Sequence, residues 1–99
     1  MGPGKAHLLT LISETGSINS AAKRMKMSYM RAWLLVQVMN DSFREPLVRT
    51  ERGGAQNGGA ELTACGKRVL QLYREMEAQS LEAIKSHWKS IRQLLVAAD

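Results

Sequence analysis

A glycine-rich stretch divides the chain into two parts that must fold differently. Four of the eight glycines lie between Glu51 and Ala60. Pro46 ends any helix that approaches this stretch from the N-terminal side, because the residue before a proline disfavours the helical region. Short runs of strand-forming residues, Leu47–Thr50 and Glu61–Thr63, flank the glycines. We therefore expect a β-hairpin with a long tip, with all helices before Pro46 or after the second strand.

Three short helices are predicted before Pro46, spanning about Lys5–Thr15, Ser20–Lys26 and Tyr29–Ser42. Gly16 is expected to end the first helix. Capping hydroxyl and amide groups are available at Ser17 or Asn19 for the second helix and at Ser28 for the third. Apolar residues at helical spacing predict the core. They are Leu8, Leu11, Ile12, Ile18, Ala21, Ala22, Met25, Ala32, Val36 and Met39.

A fourth, much longer helix is predicted after the hairpin. Thr63 is expected to cap it, and it would run from Ala64 to about Ala97, roughly 50 Å at 1.5 Å per residue. Such a helix is too long for one domain of 99 residues to cover. We expect a second copy of the chain to cover the rest, giving a homodimer. The predicted dimer contacts are Val69, Tyr73, Met76, Ile84, Trp88, Ile91 and Leu95.

The positive charge of the chain is concentrated in one segment. Fourteen Lys and Arg residues against nine Asp and Glu residues give a net charge of +5. The segment from Ser17 to Ala32 carries four bases and no acid, namely Lys23, Arg24, Lys26 and Arg31. A basic cluster predicts an anionic partner such as nucleic acid or a membrane surface, although a merely solvated helix face would have the same composition.

The order of elements favours DNA over the other anionic partners. A helix pair joined by a tight turn and followed by a hairpin is the layout of a winged helix-turn-helix, a mainly α fold. Its second helix lies in the major groove of double-stranded DNA. We expect residues 1–63 to bind DNA, with the wing at about 47–63, and residues 64–99 to dimerise within the same domain. The predicted DNA contacts are Ser17, Ser20, Lys23, Arg24, Lys26, Ser28, Tyr29, Met30, Arg31, Leu34, Arg49, Arg52, Gln56 and Asn57.

Five aromatic or apolar positions on the third helix bear on what it contacts. Tyr29 could contact a phosphate or pack against the first helix, whereas Trp33 is expected in the core. The row Met30, Leu34 and Val38 should point outward, opposite the buried stripe of the helix. An exposed apolar row can touch thymine methyl groups. It could equally bind a protein, which gives a second hypothesis: an interaction module of winged-helix fold with little specific DNA binding.

Other classes of function are not favoured by the sequence. A single cysteine, Cys65, and two distant histidines, His7 and His87, make no metal-ligand set. The paired glycines of the hairpin are not followed by the Gly-Lys-Ser/Thr of a nucleotide-binding loop. No catalytic arrangement is seen, so we expect no enzyme and no cofactor. The chain shows neither a membrane-spanning run nor the apolar core of a signal peptide, which predicts a cytoplasmic protein.

Several motifs resemble those of one regulator family. Residues 16–23 read GSINSAAK, similar to a segment of LysR-type and ModE-type regulators. Residues 27–33 read MSYMRAW and are followed by Met39 and Asn40, which is closer to the ModE pattern. Residues 47–63 resemble the wing of that family, and residues 66–73 resemble the start of its dimerisation helix. The resemblance implies a bacterial or archaeal transcriptional regulator that binds palindromic promoter DNA as a dimer.

Two departures from the family pattern affect what we expect of this chain. Full-length ModE proteins carry C-terminal domains that bind molybdate, and residues 1–99 contain no counterpart. We therefore expect no oxyanion sensor and no small-molecule ligand here. In addition, Leu34 and Leu35 stand where the family has polar residues. A third helix this apolar offers few hydrogen bonds to bases.

Overall fold

A computed structural model of the chain describes residues 1–51 and 58–96. Within these residues there are four helices and one two-stranded antiparallel sheet. The elements are α1 (Pro3–Thr15), α2 (Ile18–Arg24), α3 (Tyr29–Ser42), β1 (Val48–Thr50), β2 (Ala60–Leu62) and α4 (Ala64–Leu94). The predicted winged helix-turn-helix followed by a long helix is confirmed.

The core lies where the first three helices meet the hairpin and the start of α4. Every residue of the predicted apolar core is buried, except Met25, which is partly buried against the same cluster, whereas Trp33, also expected in the core, is exposed. Leu8, Leu9 and Ile12 of α1 are fully buried and lie at its centre. Ala21 and Ala32 let α2 and α3 approach closely, since neither adds volume beyond a methyl group. Short side chains therefore fill the space between α2 and α3.

The helix ends follow from their capping groups. Gly16 ends α1 in the left-handed conformation at φ 72°, as expected of a glycine at this position. Ser17, rather than Asn19, caps α2 by accepting a hydrogen bond from the Ser20 amide, so α2 begins two residues earlier than predicted. Ser28 caps α3 in the same way through the Arg31 amide, and the predicted bounds of α3 are correct.

The hairpin is attached to the helices by backbone hydrogen bonds. Arg49 lies opposite Glu61 in the register, with Val48 opposite Leu62. The Ala60 amide donates to the Gly16 carbonyl across 2.8 Å, which ties β2 to the end of α1. Both strands lie within one residue of their predicted positions.

The start of α4 is packed against the residue that precedes β1. Thr63 caps α4, accepting from the Gly66 amide at 3.0 Å, and its own amide donates to the Leu47 carbonyl at 2.9 Å. Gly66 is buried so tightly that an added Cβ would lie 2.1 Å from the Leu47 carbonyl oxygen. Leu70, about one turn further along α4, is the last buried residue of the core. Beyond Tyr73, every described residue of α4 is exposed.

Candidate nucleic-acid interface

The exposed residues between Ser17 and Ala32, called the basic edge below, include two capped helix N-termini and a tight turn. The turn that joins α2 to α3 contains Lys26, whose backbone is left-handed at φ 57°. The amide of Lys26 donates to the carbonyl of Lys23, and the amide of Met27 donates to that of Ala22. Both bonds close the end of α2 and direct the chain into α3. The strained turn therefore sets the angle between the two helices.

The predicted basic cluster is exposed along this edge. Lys23, Arg24, Lys26 and Arg31 all lie on the surface. Arg24 has an acidic neighbour, because its Nη1 lies 3.6 Å from Oε2 of Glu14 on α1. Both side chains of this pair are more than half exposed, so the ion pair is weak in water and a phosphate can replace the carboxylate. Ser17, Ser20 and Ser28 lie on the same edge, at the starts of α2 and α3.

The outward face of α3 is apolar, as its helical spacing predicts. Met30, Leu34 and Val38 are 58%, 52% and 49% exposed, respectively. They occupy positions i, i+4 and i+8, which form one row along a helix. The buried stripe of Ala32, Val36 and Met39 lies on the other side. Leucine at position 34 therefore contributes to a surface and not to the core.

The two aromatic residues of α3 differ in how far they are buried. The prediction that Trp33 lies in the core is wrong, since it is 37% exposed and widens the apolar face. Its position one residue after Ala32 rotates it by about 100° from the buried stripe, which is enough to bring it to the edge of the core. Tyr29 is partly buried and packs against the core, which favours the packing alternative left open by the sequence.

The wing carries an ion pair that was not expected. Arg49 donates to Oε1 of Glu61 through both Nε and Nη2, at 3.2 Å and 2.7 Å. The two residues are cross-strand partners and both side chains are exposed. Arg49 is therefore shared between this carboxylate and any phosphate that the wing meets. The other predicted wing contacts, Arg52, Gln56 and Asn57, lie outside the described residues.

Asn40 connects α3 to the wing, a role that the helical spacing could not indicate. Its Oδ1 accepts from the amides of Leu47 and Val48, at 2.9 Å and 3.1 Å. Its Nδ2 donates to the Val48 carbonyl at 3.1 Å. The Asn40 side chain thus forms the hydrogen bonds that a neighbouring strand would otherwise form with the start of β1. The angle between α3 and the hairpin depends on these three bonds.

The predicted dimer contacts on α4 fall into two groups. Val69 and Tyr73 are partly buried against the core of their own chain. Met76, Ile84, Trp88, Ile91 and Leu95 are between 50% and 64% exposed. Leu81, which is 67% exposed, was missed by the prediction. It completes a row at alternating three- and four-residue spacing from residue 81 to residue 95, the spacing of a coiled-coil seam.

Other kinds of site are not seen in residues 1–51 and 58–96. None of the helices described there is long and apolar enough to cross a membrane. The same residues contain no group of three His, Cys, Asp or Glu side chains that could hold a metal ion.

Several curated proteins that are similar to this chain in sequence share the name ModE. The chain is 41% identical over 80 residues to "Molybdenum transport protein ModE" of Azotobacter vinelandii. It is 38% identical over 91 residues to "Molybdenum-pterin-binding protein MopB" of Rhodobacter capsulatus, and 41% identical over 71 residues to "DNA-binding transcriptional dual regulator ModE" of Escherichia coli K12. These matches cover 81%, 92% and 72% of the chain but only 30%, 34% and 27% of the relatives. The chain thus spans about a third of their length. No family model matches the chain.

Solved structures with the same fold come from LysR-type regulators. The DNA-binding domain of CbnR, solved in complex with DNA, has a TM-score of 0.67 and 24% identity, covering 91% of this chain and 99% of that domain. LysG of Corynebacterium glutamicum has a TM-score of 0.67 and 19% identity, covering 94% of this chain and 30% of LysG. At these identities the likeness establishes the arrangement of the helices and the wing.

Proposed function

Since the chain is a winged-helix domain like that of ModE-type transcriptional regulators, we propose that it binds double-stranded DNA as a homodimer and regulates transcription. One observation carries the proposal. The four bases of residues 17–32 are exposed on the same edge as two capped helix N-termini, and no acid lies within that segment. Phosphates bind to cationic side chains and to the free amides at helix N-termini.

In this proposal each element has a separate role on the duplex. Helix α3 enters the major groove, whose width of about 12 Å accepts a helix with its side chains. Lys23, Arg24 and Lys26 contact phosphates beside the groove. Arg31, one turn from the start of α3, reaches the backbone or a base edge. Arg49 of the wing leaves Glu61 for a phosphate, because an exposed carboxylate holds it weakly.

The phosphate contacts are tested by the salt dependence of binding. Replacing Lys23, Arg24 and Lys26 with Ala should weaken binding to every duplex alike. It should also flatten the slope of log K against log[salt] by about 0.9 for each lost phosphate contact. A control variant that replaces Lys5, Lys67 and Arg68 removes the same number of Lys and Arg residues from α1 and α4. Fluorescence anisotropy at several salt concentrations measures both. The proposal fails if the two triple variants bind with the same affinity and slope.

The proposed homodimer is supported by the exposed row of α4. The apolar side chains from Leu81 to Ile91 lie on α4, with Leu95 at its C-cap, and no other part of the described chain covers them. The charges on α4 also suggest an orientation for the partner helix. Glu75, Glu77 and Glu82 precede Lys85, Lys89 and Arg92. An antiparallel pair that crosses between residues 83 and 84 places the acidic segment 75–82 of each helix beside the basic segment 85–92 of the other, whereas a parallel pair places like charges together.

Charge reversal distinguishes the two orientations. Changing Glu75, Glu77 and Glu82 to Lys should weaken an antiparallel dimer several-fold and should leave a parallel one unchanged, because like charges would still face each other. Reversing the three bases to Glu in the same chain should then restore association. Sedimentation velocity at micromolar concentration measures the dimer fraction. A parent chain that sediments as a monomer would exclude the homodimer.

A further inference from the structure

We propose that the apolar face of α3, which comprises Met30, Leu34 and Val38, reads thymine methyl groups in the major groove. This inference rests on the proposed DNA binding and adds the chemical feature by which the target is selected. Sequence preference then comes from apolar contact with methyl groups and only to a small extent from hydrogen bonds to base edges.

The polar side chains of α3 leave little capacity for hydrogen bonding to bases. Asn40 is engaged with the backbone of β1. Ser42 donates to the Val38 carbonyl at 2.6 Å, and Asp41 would repel phosphates. Arg31 in the first turn of α3 and Gln37 in the third remain as donors. A helix with this composition can make few of the bidentate contacts that identify guanine or adenine.

Thymine is the base whose chemistry matches the rest of the face. In the major groove, adenine, guanine and cytosine present only donors and acceptors, whereas thymine also presents its C5-methyl group. Met30, Leu34 and Val38 are about half exposed and lie in one row of about two turns. Each methyl group that this row covers leaves water, which is favourable by about 0.8 kcal/mol or about fourfold in affinity.

The charges around the face favour a duplex over a protein as its occupant. Arg31 follows Met30 at the N-terminal end of the row, and Lys23 and Lys26 lie on α2 and in the turn that leads into α3. No acid occurs from residue 17 to residue 32, and the exposed Asp41 lies beyond Val38 at the other end of the row. The N-terminal end of the row is therefore suited to a phosphate backbone, with the apolar side chains beside it. That arrangement is found on the floor of a thymine-containing major groove, where phosphates line both edges.

Uracil substitution tests the inference directly, because dU lacks only the methyl group of dT. A preferred duplex is first selected by the purified chain from a random library. The same duplex is then synthesised with dU in place of every dT, and both are titrated by fluorescence anisotropy. We expect the dU duplex to bind about fifteenfold more weakly if two methyl groups are contacted. A random duplex should bind equally in both forms, since its phosphates are unchanged.

A protein variant separates methyl contact from any effect of dU on the duplex itself. Leu34→Ala should lower the ratio of the dT to the dU affinity, and Leu72→Ala, which alters a 41% exposed leucine on α4, should not. Both residues are exposed, so both variants should melt close to the parent. Equal binding of the two selected duplexes, or a ratio that Leu34→Ala leaves unchanged, overturns the inference and leaves the face to a protein partner. In that case salt-dependent DNA binding still stands, whereas failure to bind any duplex removes both proposals.

Discussion

Gly66 provides the most direct test of how the wing is joined to the last helix. Its amide lies in the first turn of α4, and its Cα is packed against the backbone of Leu47. In Gly66→Ala the new Cβ would lie 2.1 Å from the Leu47 oxygen, 3.0 Å from its carbonyl carbon and 3.2 Å from its Cα. Ordinary contacts begin near 3.4 Å, so the two backbones must separate by about 1.3 Å. All three atoms belong to the backbone, and no side chain can rotate away to make room.

The cost follows from this displacement. Overpacking of a tight site costs about 1–3 kcal/mol. The same movement stretches the bond from the Thr63 amide to the Leu47 carbonyl, which contributes about 1 kcal/mol. Alanine recovers less than about 1 kcal/mol through its better helix propensity. The expected loss of unfolding free energy is therefore about 1–3 kcal/mol. For a domain of this size the melting temperature should fall by about 4–8 °C for each kcal/mol.

Gly4→Ala is the matched control. Gly4 also lies in the first turn of a helix, and nothing lies within 4 Å of its added Cβ. Only the propensity term remains, so this variant should melt at or slightly above the parent. Circular dichroism melts of the three proteins at one concentration measure the effect, since the stability of a dimer depends on concentration. If Gly66→Ala melts at or above the parent, the close packing of α4 on Leu47 is not as described.

Three further predictions concern the hydrogen bonds of Asn40, the left-handed turn at Lys26 and the ion pair of the wing. Asn40→Ala should lower the unfolding free energy by about 2–3 kcal/mol in urea titrations, because two buried amides lose their acceptor, whereas exposed Asp41→Ala should change it by less than about 0.5 kcal/mol. Lys26→Gly should be about 1 kcal/mol more stable than Lys26→Ala in the same assay, since only glycine adopts φ 57° without strain, while both should lose DNA affinity equally. Glu61→Gln should bind duplex DNA several-fold more tightly at low salt, because it releases Arg49, and Arg49→Gln should bind more weakly in anisotropy titrations. Equal stability of the two Lys26 variants, or weaker binding by Glu61→Gln, would contradict the reasoning.

The helices were predictable from the sequence because their ends are determined locally. Ser28 and Pro46 lie on either side of α3, and its bounds are those expected. The choice between Ser17 and Asn19 as the cap of α2 depends on the turn that follows Gly16, in which the Ser17 amide donates to Oγ1 of Thr15 at 3.3 Å. That contact holds Ser17 in place at the turn after Gly16. The sequence offered two capping candidates and no means of ranking them.

The parts of the site that escaped prediction depend on contacts between distant residues. The three bonds of Asn40 join α3 to residues seven and eight positions later. Pro46 separates these residues from the helix, so their return to Asn40 depends on the tertiary fold. The pair of Arg49 and Glu61 depends on the strand register, which glycine-rich tips determine poorly. Trp33 was placed in the core because it lies at the edge of the buried stripe, but the inward side of α3 is formed by Ala32, Val36 and Met39. Each miss concerns tertiary packing and not helix propensity.

In the proposed homodimer, the exposed end of α4 makes the length of chain that is folded depend on protein concentration. A solvated amphipathic helix of about fifteen residues is only marginally stable in water by itself. Burial of the apolar row against a partner would therefore stabilise residues 80–94 as a helix. In the proposed homodimer, folding of this segment and pairing of two domains are one event. Occupancy of a two-fold DNA site would then rise with the square of the monomer concentration at low expression, so that a modest change in synthesis is converted into a sharper change in the transcription of the target.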